Sequence, residues 1–122
     1  MKFSLKTELP ALIVLATSIV LIFYFYQNFP ETVATHWNFQ GEADGFSSKT
    51  FGAFFFPALL LLMYALFWVM PYFDPKKERY EEFKKIYAFF RQTIIIVLGI
   101  IYWASGFYNL GYNINIGLVS AW

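Results

Sequence analysis

The sequence predicts an all-α integral membrane protein, with three transmembrane helices, a tail that begins a fourth, and a structured extracytoplasmic loop between helices 1 and 2. Two observations carry this. Charge-free stretches run from Leu9 to Gln27, from Thr50 to Phe73, and from Gln92 onward. Hydrophobic residues make up 59% of the chain and aromatic residues 24%, well above the apolar share of a soluble domain.

Each span follows from where a charge is intolerable. Asp, Lys or Arg at the centre of a spanning helix costs roughly 2.5–3.5 kcal/mol. At about 1.5 Å rise per residue, some 20 apolar residues cover a ~30 Å hydrocarbon core. Helices are therefore expected at about Leu9–Gln27, Phe51–Tyr72 and Gln92–Tyr108, the last continuing a helix that starts near residue 76. The 122 residues form one polytopic domain. Lys2 and Lys6 resemble a signal-peptide n-region, but the apolar run is long and lacks a small-x-small site, so it reads as an uncleaved anchor. Asn109–Asn115 reads as a turn, and Ile116–Trp122 as an apolar run too short to span.

Orientation follows from the basic residues. The segment 74–91 carries Lys76, Lys77, Arg79, Lys84, Lys85 and Arg91, whereas the loop 28–50 carries only Lys49. The positive-inside rule then places the N-terminus and segment 74–91 in the cytoplasm and the loop 28–50 outside. Tyr24, Tyr26, Trp68, Tyr72, Tyr102, Trp103 and Tyr108 lie where ring anchors at the headgroup level are expected. Within the basic segment, Asp74 before Pro75 is a helix start, and Tyr80, Phe83, Tyr87 and Phe90 share a helical face. That helix is either a solvated lead into the third span or a site for anionic lipid or a cytoplasmic partner; its near-balanced charges favour the first.

The chemistry is confined to the loop 28–50. Pro30 ends the first helix, Gly41 and Asp44-Gly45 supply turns, and Ser47 or Ser48 caps the second helix. Phe29, Val33, Trp37, Phe39 and Phe46 give the loop something to bury, and Val33–Phe39 is expected to run extended across the helix ends. His36 is the single histidine, and Glu31, Glu42 and Asp44 lie near it in sequence. Imidazole and carboxylates suit a divalent metal, but the spacing of a metal motif is missing, so no metal ligand is assigned. The blander expectation is a hydrogen-bonded structural histidine, with Asn38 closing a turn and Asp44-Gly45 forming an Asx-type turn. Lys49 is expected to pair with Asp44 or to reach headgroups. Trp37 is an interface anchor or a binding hot spot.

No catalytic residue is indicated, because there is no nucleophile elbow, no phosphate loop and no cysteine. A formal net charge of +1 gives no argument for nucleic acid. No carboxylate or histidine falls within the expected spans, which argues against an ion path. Small residues occur there instead, at Gly52, Ala53, Gly99, Ala104 and Gly106, and they permit close helix approach.

Pro30, Val33, His36-Trp37-Asn38, Gly41, Asp44 and Lys49, with Asp74-Pro75-Lys-Lys further on, resemble a bacterial membrane domain of unknown function. That domain forms the N-terminal part of the Sdp-type toxin immunity proteins. Ala34 and Ala43 stand where the family usually has proline, and its later Arg-Thr-Pro-Trp-Thr signature is absent. The resemblance implies a multi-pass protein of the bacterial cytoplasmic (inner) membrane. It also implies a ligand site at His36, Trp37, Asn38, Gly41, Asp44 and Lys49, and recognition of an extracellular peptide toxin. The bilayer is then its partner, and no cofactor is implied. Alternatives are a structural subunit partnered by other membrane proteins and, third, a metal-dependent membrane enzyme.

Overall fold

The computed structural model describes residues 3–73 and 82–116. Its elements in chain order are α1 (Leu5–Asn28), β1 (Thr32–Trp37), β2 (Ala43–Ser48), α2 (Lys49–Phe73) and α3 (Lys84–Asn109). All three helices are long and apolar enough to cross a membrane. Their 24 to 26 residues correspond to about 36–39 Å. The protein is mostly helical, but it is not all-α. The loop between α1 and α2 contains a two-stranded antiparallel sheet, so the expected extended run is one arm of a hairpin.

The three helices pack on one another through two apolar clusters. Nearer the N-terminus of α1, Ala11, Val14 and Leu15 meet Leu60 of α2 and Ile95 of α3. Nearer the hairpin, Phe25 and Phe29 meet Val33, Ala53 and Tyr102. Small residues set the spacing as expected. A Cβ on Gly99 would overlap Val14 Cγ1, and one on Gly106 would overlap the edge of the Phe25 ring. Such contacts let helix backbones approach where lipid offers no hydrophobic drive for association.

Two expectations need correction here. First, α1 begins at Leu5, before the expected edge at Leu9, so Glu8 is helical and buried. The charge-free rule draws the boundary at the last charge, whereas a paired charge can enter the bundle. Second, Tyr102 is not a headgroup anchor. It is 1% exposed, and its hydroxyl donates to the Ala53 carbonyl at 2.7 Å. Trp103 also turns inward and donates from Nε1 to Ser18 Oγ at 2.9 Å. Each ring has a polar atom, and in both cases that atom has found a partner on another helix.

The turn after α3 is present: Leu110 and Gly111 donate back to its last carbonyls, and Gly111 takes φ 102°. The expected Asp74–Pro75 helix start, the Tyr80 position and the apolar run beyond Ile116 lie outside the described residues.

Candidate functional site

The hairpin is built by short-range chemistry. Pro30 has no N–H to continue α1, and the last helical donor used is Phe29, at 2.7 Å from the Phe25 carbonyl. At the tip, Asn38 closes the reversal. Its N–H donates to the Glu42 carbonyl at 2.9 Å, and its Oδ1 accepts from the backbone N–H groups of Gln40 and Glu42, each at 2.9 Å. Gly41 completes the turn at φ 81°, a conformation that side chains disfavour. The turn thus centres on Asn38–Glu42, and Asp44-Gly45 lies within β2 rather than in a turn of its own. At the base, Lys49 N–H donates to the Glu31 carbonyl at 3.0 Å, and Ser48 Oγ caps α2 by accepting from Phe51 N–H at 3.2 Å.

All three helices hold this hairpin. Val33 is buried against Gly52 of α2, where a Cβ would overlap Val33 Cγ2. Phe29 stacks on Phe25 of α1, with ring centroids 5.1 Å apart. The third brace is Asn109, the last residue of α3. Its Oδ1 accepts from Ala34 N–H at 2.7 Å, and its Nδ2 donates to the Ala34 carbonyl at 2.9 Å. A side-chain amide here takes the place of a third strand and satisfies both backbone groups of Ala34. Trp37 turns the same way, its ring edge-on to Tyr108 at 5.6 Å.

The remaining side chains point away from these braces. His36 Nδ1 and Asp44 Oδ1 are 2.5 Å apart across the strands, with side-chain exposures of 71% and 43%. The register shifts on both sides of His36. Gly45 faces it there, and a Cβ on Gly45 would lie 2.8 Å from the His36 Cβ. Phe46 is exposed beside this pair, and Phe39 at the tip is fully exposed. The pair has no third ligand for a metal, since no three His, Cys, Asp or Glu side chains converge among the described residues.

The six residues expected to bind therefore divide. His36 and Asp44 come together on the open face. Asn38 and Gly41 make the turn. Trp37 packs inward on α3. Lys49 does not pair with Asp44: it lies 3.6 Å from Glu31 and over the Tyr26 ring at 4.9 Å, because the base of the hairpin carries it to the α1 side. His36 is also not pinned between backbone and helix ends, as a buried structural histidine would be.

A second polar assembly, at the opposite end of the bundle, escapes a reading of the sequence alone. Glu8 is 1% exposed and Arg91 2% exposed. Arg91 donates from Nε to Glu8 Oε1 at 3.0 Å and from Nη2 to Oε2 at 2.7 Å. Gln92 Nε2 and the Tyr64 hydroxyl also donate to Oε1, at 2.9 and 2.8 Å. The guanidinium lies over the Trp68 ring at 4.3 Å, with Tyr87 at 5.7 Å. Its Nη1 is buried without an acceptor among the described residues, which this aromatic stack makes tolerable. Gln92 Oε1 accepts from Ala11 N–H at 2.8 Å, directly after Pro10 interrupts the hydrogen-bond ladder of α1. One cluster therefore ties α1, α2 and α3. Its signal in the sequence is the position of Glu8 and Arg91 at the edges of two apolar runs.

Taken together, these features define a polytopic membrane domain that braces a β-hairpin across its helix ends. Residues 12–61 match the family model described as a domain of unknown function, DUF1648. The match takes in most of α1, the whole hairpin and the first half of α2. It excludes Glu8, Tyr64, Arg91, Gln92 and Asn109. No curated protein and no solved structure matches the chain.

Proposed function

We propose that this is a binding protein of a bacterial cytoplasmic membrane whose hairpin faces outward and recognises a secreted peptide, conferring immunity where that peptide is toxic. The observation that carries the reading is the division of labour within the hairpin. One side is fixed to three helices by Val33, Phe29 and Asn109, while His36, Asp44, Phe39 and Phe46 remain exposed. A rigid support with an open face suits recognition, because little ordering entropy is lost on binding. The excess of Lys and Arg in segment 74–91 supports the outward orientation. The Sdp-type resemblance supports a peptide ligand.

The chain has no cysteine, so topology is directly testable. Phe39→Cys should react with an impermeant thiol reagent in intact cells, and Lys85→Cys only after permeabilisation. The reverse pattern overturns the orientation. Cells expressing the wild type should then survive secreted peptide toxins that kill the parent strain, and Phe39→Ala/Asp44→Asn should abolish that survival. Absence of protection against every peptide tried would refute immunity.

A further inference from the structure

The open face also has a charge. Between Phe29 and Ser48 the chain carries Glu31, Glu42 and Asp44 and neither Lys nor Arg. The nearest cation, Lys49, is committed to Glu31 and to the Tyr26 ring. The carboxylates of Glu42 and Asp44 therefore lie on an exposed surface with no Lys or Arg of the hairpin against them; Asp44 shares one oxygen with the His36 ring, and Glu42 has no basic neighbour on the hairpin. The same hairpin carries two aromatic rings that the fold leaves uncovered: Phe39 at the tip, fully exposed, and Phe46 on β2, 62% exposed. Phe46, Asp44 and Ser48 alternate along β2 with the inward-facing residues, so they line one face of the sheet. The opposite face has its own contacts, including the Thr35–Ser47 hydroxyl pair at 3.2 Å.

An isolated exposed ring on a soluble surface would need no account. Two exposed rings on one braced hairpin that carries three carboxylates and no Lys or Arg between residues 29 and 48 specify a partner by complementarity: apolar groups for the rings and cations for the acids. We infer that the occupant of this face is a cationic amphipathic peptide, with Lys or Arg meeting Glu42 and Asp44 and aliphatic or aromatic side chains meeting Phe39 and Phe46. The inference rests on the proposed peptide-binding role and names the class of peptide. A Lys or Arg side chain also offers the Phe rings a cation–π contact. The His36–Asp44 hydrogen bond fixes one of the carboxylates in place, so the cation meets a preorganised acceptor. An anionic peptide meets like charge on the same face and is repelled.

The test uses the full chain in nanodiscs of zwitterionic lipid, with empty discs as reference. The probes are two synthetic amphipathic peptides that share one Leu/Phe pattern, one with Lys and one with Glu at every polar position. The Lys peptide should bind the loaded discs at least about tenfold more tightly than the Glu peptide. Glu42→Gln/Asp44→Asn should remove most of that preference. Phe39→Ala/Phe46→Ala should weaken binding of the Lys peptide. All four positions are exposed, and an unchanged circular dichroism spectrum checks that the variants fold. If neither peptide binds above the empty discs, the peptide-binding role falls together with this inference. If both peptides bind equally and Phe39→Ala/Phe46→Ala abolishes it, the role stands and the cationic class falls. Binding of the Lys peptide that survives both double substitutions places it elsewhere and overturns the inference. So does quenching of Phe39→Trp fluorescence by brominated lipid, which would make the bilayer surface the occupant.

Discussion

Removing the Glu8 carboxylate leaves a guanidinium buried among helices with no counter-charge among the described residues. In the native bundle Arg91 gives two hydrogen bonds to Glu8, at 3.0 and 2.7 Å, and Gln92 and Tyr64 give two more. Glu8→Ala strips all four at once. Breaking a buried ion pair from one side typically costs about 3–5 kcal/mol, because the remaining charge has lost its partner but not its desolvation. A pair about 4 Å apart in a medium of effective dielectric about 20 attracts by roughly 4 kcal/mol, which agrees. The double substitution Glu8→Leu/Arg91→Met removes both charges and keeps most of the packing volume. It should recover the greater part of the loss, leaving a deficit of about 1 kcal/mol or less. Gln92 and Tyr64 lose an acceptor in both variants, so they cancel in the comparison. Reversible unfolding in mixed micelles, followed by helical circular dichroism, measures each variant, and a double-mutant cycle isolates the coupling. A coupling below about 0.5 kcal/mol would refute the view that this pair holds the bundle. A double variant as unstable as the sum of the singles would refute it equally.

Two further outcomes follow from contacts at the hairpin end. Asn109→Leu should leave both Ala34 backbone groups unpaired, at about 1–3 kcal/mol. Amide exchange at β1 should accelerate accordingly, while the protection of α1 around Val14 is unchanged; equal protection of β1 in both proteins would remove Asn109 as a brace. Gly106→Ala drives a methyl into the edge of the Phe25 ring. Overpacking of this kind costs about 1–3 kcal/mol, and Gly106→Ala/Phe25→Leu should recover part of it in the same unfolding assay.

The spans are legible in the sequence because a charge-free run of 20 residues or so is long enough to cross a bilayer and too apolar to sit in water. The small residues facing Val14 and Phe25 are legible as packing positions. The cap at Ser48 and the turn role of Asn38 follow from local chemistry and are present. What the sequence conceals is long-range. Glu8 and Arg91 are separated by most of the chain, and each alone looks like the polar edge of a span. Only their meeting shows that they belong inside. Asn109 looks like the start of a turn, yet its side chain serves a strand far earlier in the chain. Proximity in sequence pairs Lys49 with Asp44, but pairing of β1 with β2 gives Asp44 to His36 and leaves Lys49 beside Glu31. The register of two short strands decides that exchange, and periodicity over so few residues does not fix register.

The amide of Asn109 has a practical consequence for anyone dissecting this domain. The stretch that matches the known family ends soon after the hairpin, whereas the group that clamps Ala34 is supplied from the far end of the third helix. A fragment cut to that stretch would keep the exposed face of the hairpin and lose its keystone. Experiments on an excised hairpin would then report on a strand whose Ala34 backbone has lost its clamp, not on the hairpin as the three helices hold it.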